Sequence, residues 1–252
     1  FCNTGDMGLM RNLKTHEIID QILEAQRQLE APADQIFGHK LSNVVFMGMG
    51  EPLHNLDAVV DAVDILTNDH GFGLSQRKIT VSTSGLVPQI DEFGKRSPAN
   101  IAISLNATTD EVRDEIMPVN RRWPLKDFLD TCRRYPLKAN RRITFEYVML
   151  DGLNDSIDDA KRITRLLQGI PTKINLIPYN PHPASVFRRP DIKKVYAFQK
   201  FLLDKGWNCT VRISKGRDIL AACGQLRSAE IQRSKHREQR ERGAVQGAVA
   251  RS

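Results

Sequence analysis

Six short apolar runs recur along this chain, each rich in β-branched or aromatic residues and each followed by a polar turn and a helical pattern. They start near residues 44, 79, 101, 143, 174 and 209, at intervals of 35, 22, 42, 31 and 35 residues. Antiparallel strands can be joined by a two-residue turn, whereas parallel strands need a crossover of a dozen residues or more. The rhythm therefore predicts parallel strands connected by helices, and either a doubly wound sheet or an α/β barrel fits. At 252 residues, one such domain accounts for most of the chain.

The local signals agree with the rhythm. Thr15 can cap a helix carrying Ile18, Ile19, Ile22, Leu23 and Leu29 on one stripe, with Glu17 in the first turn where the helix dipole favours an acid. Asn55 begins a helix with Leu56, Val59, Val60, Val63 and Leu66 at helical spacing, and Pro124 to Arg134 reads as another. Ser156 with Asp159 three residues on forms a capping-box pattern, and Asp191 to Lys205 reads as a helix stopped by Gly206. The first run, Val44-Val45-Phe46-Met47, reads as a strand buried on both faces, with Met47 and Met49 as packing residues.

The strands end in Gly48-Met49-Gly50-Glu51-Pro52, Ser82-Thr83-Ser84-Gly85, Ser104-Leu105-Asn106 and Tyr179-Asn180-Pro181. In α/β barrels the carboxyl ends of the strands face the active site. Neutral hydrogen-bonding groups with one acid suit a polar ligand bearing hydroxyls and an ammonium. Gly-Met-Gly-Glu-Pro lacks the third glycine of a dinucleotide fingerprint, and no P-loop, HExxH or Gly-x-Ser-x-Gly pattern occurs.

Composition is that of a soluble globular protein, 40% hydrophobic and 27% charged, with no apolar run near the roughly 20 residues a membrane helix needs. The net charge of +7 permits a polyanionic partner. Four cysteines, Cys2, Cys132, Cys209 and Cys223, without a secretory leader pattern point to reduced thiols in a cytosol. After Leu226 the composition shifts. Residues 229–252 hold six Lys or Arg against three Glu and few large apolar side chains, so a basic tail without a core of its own is expected there, following a catalytic core over 1–228.

Phe1-Cys2-Asn3-Thr4-Gly5 with Gly8 and Arg11-Asn12-Leu13, together with Gly48–Pro52, Ser82–Gly85, Asn175–Pro181 and Asp218–Leu226, resembles the radical S-adenosylmethionine enzymes that methylate carbon 2 of adenine in ribosomal RNA. The resemblance covers about Phe1 to Leu226, and its ending Ala221-Ala222-Cys223-Gly224-Gln225-Leu226 is not general to the superfamily. It implies a partial (β/α)6 TIM-like radical SAM barrel whose first strand and amino-terminal domain precede Phe1.

The same resemblance implies the site. Cys2 would be the third cysteine ligand of a 4Fe-4S cluster, and Gly50 and Glu51 would hold the amino end of S-adenosylmethionine. Ser82, Ser104, Leu105, Asn106 and Asn180 would bind the rest of the cofactor, and Cys223 would carry the methyl group. Carbon 2 of adenine is electron-poor and no nucleophile, so the family methylates a cysteine first and moves that carbon to the ring by a radical route, with a transient disulfide on release.

A 23S ribosomal RNA substrate with or without transfer RNA, a flavodoxin-like electron donor and a monomeric cytoplasmic enzyme are further implications. The first two cluster cysteines would precede Phe1, so the 252 residues alone are expected to hold no stable cluster and not to turn over. The sister group that methylates carbon 8 of adenine is the near alternative, and a catalytically dead RNA-binding remnant the alternative of another class. Cys132, Cys209 and His182 are read as structural or loop residues, and Glu146 as a strand carboxylate paired with a neighbouring Arg.

Overall fold

The computed structural model describes residues 8–9, 11–30, 41–181 and 185–213. Cys2, His182, Cys223 and the basic tail lie outside the described residues. Six strands form one sheet: β1 (Val44–Phe46), β2 (Ile79–Thr83), β3 (Asn100–Ser104), β4 (Ile143–Met149), β5 (Thr172–Pro178) and β6 (Cys209–Val211). Every neighbouring pair is parallel and the spatial order is the chain order.

That order decides between the two architectures. Parallel crossovers are almost always right-handed, so connections that always step to the next strand on the same side lay every helix on one face of the sheet. A doubly wound sheet needs a reversal of strand order, which is missing among the described strands. The helices are α1 (Thr15–Glu30), α2 (Leu56–Thr67), α3 (Val87–Arg96), α4 (Asp110–Ile116), α5 (Leu125–Arg134), α6 (Ile157–Leu166) and α7 (Ile192–Asp204). Along this layer α1 packs on α2, α2 on α3, α3 on α5 and α6 on α7. The fold is a partial TIM-like barrel.

The sheet is strongly curled. Its edge strands β1 and β6 would lie about 24 Å apart if five intervals of about 4.8 Å were laid flat. Yet Arg212, one residue past β6, brings its Nη1 to 3.6 Å from Sδ of Met47, one residue past β1.

Side chains alternate across the strands, and the two faces differ. Ile79, Val81, Ile101, Ile103, Phe145, Tyr147, Ile174 and Leu176 are buried in one hydrophobic core with Phe93, Phe128 and Phe198. Tyr147 stacks on Phe198 of α7 at 5.7 Å, and Phe128 of α5 meets Phe145 edge-on at 6.4 Å. Truncating such a phenylalanine to alanine costs about 3–5 kcal/mol. The opposite, concave face carries Ser82, Ser104, Thr144, Glu146, Lys173, Asn175 and Thr210.

Three expectations need correction. β1 is not buried on both faces: Val45 is 52% exposed, because β1 is an edge strand of the described sheet and Val45 looks into the open concavity. Met49 is 49% exposed and does not pack into the core. Thr15 opens α1, but its hydroxyl reaches Asp61, and the carboxylate of Glu17 accepts from Lys14 N instead.

Other start and stop signals hold. Ser156 and Asp159 form the capping box of α6, Asp191 caps α7 by accepting from Lys193 N, and Gly206 takes φ +81° just past the α7 end. The long interval after β3 holds two helices, α4 and α5, where one was expected.

Candidate active site

In a parallel sheet all carboxyl ends lie on one side, so the turns after β1, β2, β3 and β5 share one rim of the concavity. Gly50, Glu51, Ser82, Ser104, Leu105, Asn106 and Asn180 are on that rim.

After β1 the chain turns through Gly50 at φ +87°, a conformation that side chains resist, with open space where a Cβ would stand. Glu51 then caps a short 3-10 turn, Pro52–Asn55, its Oε1 accepting from Leu53 N at 3.0 Å. Its Oε2 accepts from both Ser84 N and Ser84 Oγ at 2.7 Å, which ties the β1 turn to the β2 turn. A carboxylate has about four acceptor positions. Three are used here, which leaves room for a donor from outside.

Beneath these turns lies a residue that the motif reading missed. Arg113, on α4, is fully buried. Its Nη2 donates to Ser84 O and to Ser104 O, and its Nε to Leu105 O, each at 3.1 Å. Its Nη1 donates to Asn120 Oδ1 at 2.8 Å, and the guanidinium lies 4.7 Å from the centre of the Phe128 ring.

Burial lowers the Arg113 pKa to about 10, against the pull of Asp110, so the group stays charged at neutral pH. Neither acid touches it directly. Asp110 and Asp114 accept from Asn120 Nδ2, at 2.9 and 2.7 Å, so Asn120 relays between cation and acids. The strand-end carbonyls therefore hold the charge, and the charge holds them in place. Gly85 makes room for this: a Cβ there would stand 3.1 Å from Arg113 Nη2 and 3.3 Å from the Phe128 ring. A sequence signal did exist, since Arg113 falls between Val112 and Ile116 on the inward stripe of α4.

The β3 turn is stitched to β4. Asn106 sits at φ +54° and is 1% exposed. Its Oδ1 accepts from Val148 N at 2.8 Å, and its backbone carbonyl accepts from Asn154 Nδ2 at 2.6 Å. The amide side chain of Asn106 thus shapes the turn. Past β5, Asn180 accepts from Arg189 Nη1 at 2.9 Å, which positions its amide on the rim.

The described cysteines are not candidates for chemistry. Cys132 and Cys209 are buried, and burial pushes both thiols up to about 12. Among the described residues no group of three or more His, Cys, Asp or Glu could hold a metal ion.

Residues 1–164 match the family model described as the Radical SAM superfamily. The chain is 51% identical over 237 residues to a dual-specificity RNA methyltransferase RlmN of Paramagnetospirillum magneticum, a match covering 93% of this chain and 52% of that protein. Against the RlmN of Geotalea uraniireducens the identity is 53% over 227 residues, covering 90% of this chain and 63% of the relative. This chain thus spans 52% to 63% of the length of those two relatives.

The crystal structure of a radical SAM methyltransferase from Sphaerobacter thermophilus superposes with a TM-score of 0.83 at 45% identity, covering 89% of this chain and 65% of that one. A domain of a pyruvate-formate lyase-activating enzyme from Bacteroides vulgatus, 21% identical with a TM-score of 0.52, covers 68% of this chain and 99% of its own and shares the fold alone.

Proposed function

The chain belongs to the radical SAM superfamily, and on that premise we propose that it is the catalytic core of an RNA methyltransferase acting on carbon 2 of adenine in 23S ribosomal RNA and in transfer RNA. The observation that carries the reading is the strand-end cradle built around Glu51 and Ser84, in a chain about half identical to proteins named as dual-specificity RNA methyltransferases.

The donor set fits S-adenosylmethionine. The remaining acceptor capacity of Glu51 suits an ammonium, and Gly50 lets the backbone come close without a side chain in the way. Ser82 and Ser104 are half-buried on the concave face and offer hydroxyls, and Asn180 offers an amide. Leu105 and Asn106 give the turn its shape. Arg113 fixes the β2 and β3 turns relative to each other, so the cradle is formed before a ligand arrives. The described residues hold no cluster ligand set; Cys2 is assigned as a ligand from its motif.

When bound, a 4Fe-4S cluster and S-adenosylmethionine supply one-electron reductive chemistry and the methyl group. Cys223 is assigned as the residue that carries that methyl as a thioether before its delivery to the base. Such a relay answers the chemistry of the target, since carbon 2 between two ring nitrogens does not attack a sulfonium. The net charge of +7 suits an RNA partner.

The test is nucleoside mass spectrometry of ribosomal and transfer RNA from cells carrying the gene, lacking it, or encoding Cys223→Ala. Loss of 2-methyladenosine in the latter two supports the reading. Loss of 8-methyladenosine instead would move the chemistry to the sister reaction, and unchanged methylation would contradict both.

A further inference from the structure

The end of the sheet opposite the rim carries a cluster of cations that the fold does not neutralise. Two turns meet there, residues 73–78 before β2 and residues 138–142 before β4. A cleft of about 540 Å³ between them is lined by Arg77, Lys138 and Arg141 with Ser75 and Gln76, and Asp69 is the one acid among its lining residues. Lys78 and Arg142 directly follow Arg77 and Arg141 and are exposed.

The needs of the helices do not explain these cations. Basic side chains in a last helical turn offset the helix dipole, and Lys95, Arg96, Arg133 and Arg134 do so on α3 and α5, each paired with an acid. Arg77, Lys78, Lys138, Arg141 and Arg142 stand outside the α-helices, and none has a carboxylate of the described residues within 4.0 Å. Like charges gathered without acids repel one another, and a bound polyanion relieves that repulsion.

Asn100 sets the geometry. It opens β3, and its Nδ2 donates to Arg77 O at 3.0 Å and to Ile79 O at 3.1 Å, while its Oδ1 accepts from Arg141 Nη1. Lys138 Nζ donates to Gln76 Oε1 at 3.2 Å, from one turn to the other. Arg141 N donates to Lys138 O at 3.0 Å, closing a turn through Asn140 at φ +61°, a conformation that asparagine tolerates. Neutral amides thus hold the two basic turns in place, and the positive charge is left for a ligand.

The lining indicates which ligand. Arginine with hydroxyl and amide side chains is the set that contacts phosphate and sugar in nucleic-acid complexes. No aromatic side chain lines the cleft, so it offers no platform on which an unpaired base would stack. Double-helical RNA is recognised through its phosphates and 2′-hydroxyls rather than its bases. The seven residues of β4 separate this end from the rim by about 20 Å.

We propose that the cleft binds the phosphate backbone of a double-helical segment of the RNA substrate, a contact separate from the concavity that takes the target base; the assignment rests on the RNA reading of the chain. The contact adds affinity without reading sequence.

The experiment is fluorescence anisotropy of a labelled RNA duplex of arbitrary sequence, titrated at several salt concentrations with the unaltered chain and with the triple variant Arg77→Gln, Lys138→Gln, Arg141→Gln. The triple variant is expected to bind about tenfold or more weakly at low salt, with a salt slope shallower by about two to three. The pair Lys78→Gln, Arg142→Gln alters side chains that bond no described residue, so it tests the patch without touching the turns, and a several-fold loss is expected. The pair Lys161→Gln, Lys200→Gln, on α6 and α7 where both cations have acid partners, removes the same charge elsewhere and is expected to bind as the unaltered chain does. On the unaltered chain, acetylation mapped by peptide mass spectrometry is expected to show Lys78 and Lys138 protected by the duplex and Lys161 and Lys200 not.

Equal losses from the two pairs, or no protection of Lys78 and Lys138, overturn the assignment. So does a polyglutamate that displaces the duplex at equal charge concentration, which would make the patch a surface for an acidic protein. Duplex binding that survives the cleft substitutions overturns this assignment alone, whereas an unaltered chain that binds no RNA of any form overturns it together with the RNA reading beneath it.

Discussion

One nitrogen of Arg113 is 3.1 Å from the carbonyl oxygen of Ser84 and 3.1 Å from that of Ser104, so a single buried guanidinium fixes the distance between two turns of the rim. Through Ser84 the constraint reaches Glu51, which takes both the backbone N–H and the hydroxyl of that serine. The rim is a connected structure in which a change at α4 is felt at β1.

Arg113→Met is expected to destabilise the chain by about 3 kcal/mol in urea unfolding, because it leaves three carbonyls and Asn120 without their donor. Arg113→Lys keeps the charge but reaches fewer acceptors, so it is expected to recover only part of the loss. A loss under about 0.5 kcal/mol for Arg113→Met would show that the clamp is not structural.

Gly85→Ala tests the space above the clamp. The residue sits at φ +115°, and the added methyl would press on Arg113 Nη2 and the Phe128 ring. We expect a loss of about 1–3 kcal/mol in the same assay. Gly169→Ala, at φ +81° with open space around it, carries the backbone strain without the clash and is expected to cost less.

The two described thiols are expected to be silent. With both pushed up to about 12 by burial, Cys132 and Cys209 should resist iodoacetamide at pH 8 in the folded chain and react on unfolding. Rapid native labelling of either, mapped by peptide mass spectrometry, would contradict the burial of that residue.

A pH effect follows from Glu17. Its bonds to Arg11 and to Lys14 N hold its carboxyl down to about 2. The folded value lies below the unfolded one, so the contribution is present above the unfolded value of 4.5 and is lost as pH falls toward about 2. Carbon-detected NMR titration of Glu17 is expected to show this depressed midpoint, and Arg11→Gln to return it toward the ordinary range. An ordinary midpoint in the unaltered chain would sink the pairing.

Much of the architecture was legible in the sequence because it rests on local rules. The six strand starts, the capping box at Ser156 and Asp159 and the stop at Gly206 each depend on residues within a few positions of one another. The βα rhythm alone left barrel and doubly wound sheet open, since the choice depends on strand order, and it was the motif resemblance that pointed to the barrel. Val45 was misjudged for a related reason: an apolar run does not say which strand lies at an edge. The rim turns were visible as motifs. Arg113 was not, because the carbonyls it binds belong to residues as many as 29 positions away. The ion pair of Glu146 with Arg212, at 3.8 Å, was expected only as a pairing with some neighbouring Arg, since its partner depends on what β6 brings beside β4.

Calorimetric titration of S-adenosylmethionine into the chain and into Glu51→Ala tests the central claim most directly, since that carboxylate joins the β1 and β2 turns and is assigned to the cofactor ammonium. The account expects Glu51→Ala to bind about tenfold or more weakly while its helical circular dichroism stays that of the unaltered chain. Equal affinity for the two proteins would contradict it.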